Sequence, residues 1–180
     1  MMKADASLEI GSAAPHFEDL LGADGKRYSL SSFDGVPVLV IMFLSNGCPT
    51  VKGYEDRIRG IAQDHMNRGV QLVAINSNNP YVSPRDAYRE MVDRAREFGF
   101  DLPYLKDEDR NMARDYRAVC TPHVFVFNEA RRLRYRGRID DSRLPGNVTS
   151  HDLRNALDDL LVGRPVTVAE TRPFGCAIMW

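Results

Sequence analysis

The sequence predicts an α/β sandwich in which strands alternate with helices and a hairpin and a last helix close the fold. Three observations carry this. The run Val36–Leu44 is apolar almost without a break and rich in β-branched residues, as expected of a central strand buried on both faces of a parallel sheet. Residues 49–68 follow with Val51, Tyr54, Ile58, Ile61, Ala62 and His65 at helical spacing, and Gly69 ends the helix. The alternation then repeats with Val70–Ile75, a second buried strand.

The remaining elements follow in order. The first 35 residues read as loop and short strand, punctuated by Pro15, Gly22, Gly25 and Gly35. Asn76–Ser83 is a polar loop, and Pro84 or Arg85 opens a helix carrying Tyr88, Met91, Val92, Ala95 and Phe98 on one face. Leu102–Leu105 is extended, and a short helix lies near 108–117. Val124–Phe127 and Leu133–Ile139 read as two strands with a tight connection. Leu153, Ala156, Leu157, Leu160 and Leu161 form an apolar stripe on a helix capped by Thr149 or Ser150. Residues 163–180 make a tail whose apolar end should pack on the body of the protein.

Composition narrows the function. With 180 residues, 43% hydrophobic and 27% charged, the chain fits one domain over 1–180, with no sign of a second. The 24 Lys and Arg balance 25 Asp and Glu, so net charge gives no reason to expect nucleic acid or an anionic membrane as partner. No stretch approaches the roughly 20 apolar residues of a membrane span. The opening MMKADASLEI lacks the apolar core of a secretory leader, so a cytoplasmic location is expected. The three cysteines form no C-x-x-C pair, which argues against a disulfide framework or a zinc knuckle. If they have a function, one thiol should react and another resolve it.

The informative segment is Ser45-Asn46-Gly47-Cys48-Pro49-Thr50-Val51-Lys52, which joins the most apolar strand to an amphipathic helix. Proline suits the first helical position, so Pro49 places Cys48 at the N-cap. There a thiolate accepts from unpaired backbone N–H groups and meets the positive helix end, which makes it nucleophilic. The position also lies beyond the carboxyl end of a parallel strand, where α/β sheets bind ligands. A second signal is Cys120-Thr121-Pro122-His123 ahead of a buried strand. Proline cannot donate to a ladder, so Thr121-Pro122 reads as a cis turn at the strand edge.

With these motifs the chain resembles the thioredoxin superfamily in its peroxiredoxin-like, redoxin (AhpC/TSA) branch. Gly11-x-x-x-Pro15-x-Phe17 and Leu30-x-x-Phe33-x-Gly35 are similar to that branch's N-terminal extension. Asn46-x-Cys48-Pro49-x-Val51-Lys52, Ala74–Asn78, Pro103-Tyr104-Leu105-x-Asp107, Cys120-Thr121-Pro122, Gly137-x-x-Asp140-Asp141 and Gly175-Cys176-x-Ile178-x-Trp180 resemble a subgroup of largely unassigned activity. The resemblance implies a thioredoxin-like three-layer α/β/α sandwich with a mixed central sheet and an N-terminal extension. It also implies that Pro122 is a cis-proline facing Cys48. Val51 occupies the place of the second cysteine of C-x-x-C, and Ser45 the place of a further cysteine in some relatives. Ile41 stands where the peroxiredoxin signature has proline, and Thr121-Pro122 where its arginine would stand.

The expected activity is therefore thiol–disulfide exchange by Cys48. Thr121 and Pro122 are expected beside it as catalytic-site residues, with Pro122 shaping a substrate groove lined by Ser45, Asn46, Gly47, Pro49, Thr50 and His123. Cys120, beside the cis-proline, or Cys176, on the tail, is the resolving thiol, unless an external thiol takes that part. Partners are a disulfide-bearing or peroxide substrate and an external thiol reductant. The alternatives are a peroxide-reducing enzyme and a redox sensor without turnover. No cofactor is expected, and no metal, since position 52 is Lys where copper chaperones of this fold carry cysteine. The alternating Arg132, Arg134, Arg136 and Arg138 read as a solvated strand face neutralised by Asp140 and Asp141, and Glu90–Arg94 as a helix pair.

Overall fold

The computed structural model describes residues 8–180. The opening residues, from which the absence of a leader core was read, lie mostly outside them. Nine strands and four helices are named here in chain order: β1 (Leu20–Gly22), β2 (Arg27–Tyr28), β3 (Val38–Phe43), α1 (Pro49–His65), β4 (Val70–Asn76), α2 (Tyr88–Phe98), β5 (Tyr104–Lys106), α3 (Asn111–Asp115), β6 (Cys120–Thr121), β7 (His123–Phe127), β8 (Leu133–Gly137), α4 (Asp152–Leu161) and β9 (Cys176–Ala177).

Seven strands form one mixed sheet in the order β2-β1-β5-β4-β3-β7-β8. β3 runs parallel to β4, from Val38 opposite Val70 to Phe43 opposite Ile75, and antiparallel to β7, with Phe43 opposite His123. Side chains alternate along a strand, so β3 feeds two cores. Val38, Val40 and Met42 point to the face covered by α1, α2 and α4 and pack with Val51, Tyr54, Ile58, Met91, Leu153 and Leu157. Leu39, Ile41 and Phe43 point to the other face and meet Phe17, Phe33, Met112, Tyr116, Phe125 and Phe127. Ile41 is fully buried, and truncating such a residue costs about 2–5 kcal/mol. These are the three layers the sequence implied, and the N-terminal extension supplies β1 and β2 to the sheet edge. Among the described residues no helix is long and apolar enough to cross a membrane.

Several local expectations are corrected. The helix expected from Pro84 begins at Tyr88, because residues 84–86 form a separate 3-10 turn and Ala87 is extended. The helix expected near 108–117 shrinks to α3, whose Met112 and Ala113 N–H groups donate to the Asp107 carboxylate. The N-cap of α4 is His151, since the Thr149 hydroxyl donates to Asp141 and the Ser150 hydroxyl to Asp152. Arg94 pairs with Glu55 at 2.7 Å and Glu97 at 3.0 Å, not Glu90. Arg136 and Arg138 pair with Glu170 and Asp152. Asp140 is instead held by Arg57 and the Tyr54 hydroxyl.

Candidate active site at the Cys48–Cys176 disulfide

Cys48 sits where β3 hands the chain to α1. Leu44 still bonds the Ile75 carbonyl in sheet fashion, Ser45–Gly47 turn, and Cys48 caps the helix with Pro49 at its first position. The Val51 N–H points at the Cys48 sulfur over 3.5 Å. On its other side the sulfur lies 3.2 Å from the Thr121 carbonyl oxygen. The Thr121–Pro122 peptide is cis. The Thr121 hydroxyl is buried without a hydrogen-bond partner.

The tail completes the site. β9 pairs antiparallel with β6, Cys176 opposite Thr121 and Ala177 opposite Cys120. Gly175 permits this approach, because a Cβ there would collide with the Thr121 carbonyl oxygen. Cys176 forms a disulfide with Cys48, with Cα atoms 5.9 Å apart, inside the usual disulfide range. Beyond it, Ile178 is buried in the second core, Asn78 Oδ1 accepts from the Met179 N–H, and Asn79 Nδ2 donates to the Trp180 carbonyl. The tail is thus a strap across the cis-proline. Cys120 is a free, buried thiol whose pKa desolvation pushes up to about 11.

The turn carrying Cys48 is fixed from beneath by Asp86. Its carboxylate accepts from the Ser45 hydroxyl, the Asn46 N–H, the Asn76 and Asn78 side-chain amides and the Ser83 hydroxyl. Asp86 is fully buried, and although desolvation opposes it, these donors hold its pKa below the ordinary carboxylate value. Lys106 Nζ donates to the carbonyls of Asn78 and Asp86, and burial lowers its pKa. The Tyr104 hydroxyl donates to Asn46 Oδ1 at 2.9 Å.

A family model described as Redoxin matches residues 9–157. The chain belongs to the redoxin family. Two solved structures share this redoxin's fold closely. An uncharacterized conserved protein from Geobacillus kaustophilus is 40% identical with a TM-score of 0.90, covering 96% of this chain and 93% of its own. A hypothetical protein from Sinorhizobium meliloti 1021 is 36% identical with a TM-score of 0.90, covering 97% and 96%. The thioredoxin domain of a thiol-disulfide oxidoreductase from Bacteroides vulgatus matches at 16% identity and a TM-score of 0.60, over 71% and 86% of the chains, a likeness of fold. No curated protein matches the chain.

Of the residues named from the redoxin's sequence, the structure brings together Cys48, Pro49, Thr121, Pro122 and Cys176, with Cys120 one residue further along the β6–β9 pair. Ser45, Asn46 and Gly47 form the turn over Asp86, and Thr50 is buried in the first turn of α1. His123 turns to other company. Its ring packs 4.4 Å from Phe125 and accepts the Val119 N–H, and burial followed by the charge of Arg136 lowers its pKa to about 4, leaving it neutral at pH 7. Asp86 and Lys106 were missed, and Tyr104, quoted only within a motif, was given no role at the site. The usable signal was the crowd of amide and hydroxyl donors in Asn76–Ser83 beside Ser45 and Asn46, which needs a buried acceptor.

Proposed function

We propose that this redoxin is a thiol–disulfide oxidoreductase in which Cys48 attacks and Cys176 resolves. The Cys48–Cys176 disulfide across the cis-Pro122 turn is the observation that carries it. In the reduced protein the Cys48 thiolate attacks a substrate disulfide, forms a mixed disulfide and expels one substrate thiolate. The Cys176 thiolate then attacks the Cys48 sulfur, closing the bond seen here and releasing the second substrate thiol. Cys120 stands aside as a buried thiol of raised pKa, since the thiolate is the nucleophile. An external thiol reductant resets the pair, without metal or cofactor. In the cytoplasm such a disulfide is transient and catalytic rather than structural.

Peroxide reduction is less well supported by the geometry. The Ser45 hydroxyl, three residues before Cys48, donates to Asp86 and accepts from the Gly47 N–H and Asn78 amide, so it is not free for a peroxide. The test is thiol-dependent reduction of insulin, alongside hydrogen peroxide consumption. Wild type should reduce insulin, Cys48→Ser should lose at least 100-fold, and Cys176→Ser should accumulate a mixed disulfide on Cys48. Turnover of peroxide but not insulin would replace this reading with the peroxidase one.

A further inference from the structure

We propose that the external thiol resetting this redoxin strikes Cys176, so that the reductant's mixed disulfide forms on the C-terminal strap and Cys48 is the leaving group. The inference rests on the reading that the Cys48–Cys176 pair cycles, and it assigns the two sulfurs to opposite sides of that cycle.

The two halves of the bond are unequal in access. Cys48 is 2% exposed and belongs to the core cluster that includes Val51 and Tyr54. Cys176 is half-buried, and its neighbours Gly175 and Ala177 are exposed. A thiolate has to reach the sulfur it attacks, and of the two residues Cys176, which packs against that core but is only partly buried, is the more accessible.

They are unequal as leaving groups too. Cleavage at Cys176 leaves the electron pair on Cys48, at the N-terminus of a 17-residue helix with the Val51 N–H aimed at it. Cleavage at Cys48 would leave the charge on Cys176, in a two-residue strand with no helix end behind it. The sulfur whose thiolate is better stabilised leaves faster. Access and leaving ability therefore select the same sulfur.

The steps balance. A reductant thiolate attacks Sγ of Cys176, the Cys48–Cys176 bond breaks, and Cys48 departs as thiolate. A second reductant thiol, from the same dithiol or from another molecule, attacks the reductant's sulfur in the mixed disulfide and frees Cys176. Two reductant thiols become one disulfide, one protein disulfide becomes two thiols, and two protons pass to the cysteines. The adduct rides on residues 172–180, whose root is held where the Thr171 N–H donates to the Arg136 carbonyl and the Thr171 hydroxyl accepts from the Arg138 N–H.

The oxidised full-length protein is mixed with excess glutathione, quenched at early times in acid with N-ethylmaleimide, and mapped by peptide mass spectrometry. The expected result is glutathione on Cys176 and maleimide on Cys48, at least tenfold over the reverse pattern. Glutathione mainly on Cys48, or an even split, overturns the inference. The mapping reads only which sulfur is struck. Failure to reduce insulin would remove the oxidoreductase reading without changing this result, and an adduct on Cys48 in an active protein would remove this inference alone.

Discussion

His123 enters β7 with its ring against Phe125 and the Val119 N–H on Nδ1, and burial holds its pKa near 4. An unfolded histidine titrates near 6.5, so the unfolded chain binds the proton first. Its contribution is therefore fully present above about pH 6.5 and lost as pH falls through about 4, on the order of 3 kcal/mol in all. Urea unfolding at pH 7 and 4.5 should show a smaller loss in His123→Phe than in wild type. Superimposable losses would refute the assignment. Asp86 works differently, as an acceptor for donors that have no other outlet. Asp86→Ala should cost about 3 kcal/mol or more in urea unfolding and speed alkylation of Cys48 in the reduced protein, because Ser45 and Asn46 lose their anchor. An unchanged midpoint would show that the donors find other partners. Cys48 and Pro122 were legible in the sequence because their signals are local, a proline beside a strand end. Asp86 was not, since its partner Ser45 lies 41 positions away and no periodicity records such a meeting.

Elements differ in legibility for a related reason. β3 and α1 announce themselves through apolar runs and helical spacing long enough to show a period. β6 and β9 are two residues each, too short for a period, and exist because the strap meets the cis turn. The starts of α2 and α4 were misplaced where serine, threonine and aspartate side chains bond one another instead of the helix ends. The strap's seat is the element most exposed to a single change. Gly175→Ala should leave the fold intact, because β6 and β9 lie outside the seven-stranded sheet. It should nevertheless push β9 off the Thr121 carbonyl and make the Cys48–Cys176 bond at least tenfold faster to reduce with dithiothreitol. A rate equal to wild type would show that the strap accommodates the methyl group.

At the scale of the molecule, the disulfide closes a loop across a sequence separation of 128 residues, taking in the strands from β4 onward and all four helices named above. In the chain-entropy account a loop of that size is worth roughly 5 kcal/mol against the unfolded state. Reduction should lower the melting temperature by about 10 °C, at a few degrees per kcal/mol for a chain of this size. Cys176→Ser should melt at the temperature of reduced wild type under either condition, and a difference between them would point to an effect beyond the cross-link. Two crossings fix the path of the strap. Thr171 passes over Gly137, where no side chain would fit, and Gly175 passes over Thr121. Only Arg172, Pro173 and Phe174 lie between them. That interval is a ruler. An extra residue taken up as a one-place shift of β9 along β6 would turn the thiol to the opposite side of the strand, since neighbours in a strand face opposite ways. The three-residue span thus helps set the register that brings Cys176 to Cys48, apart from either sulfur's chemistry.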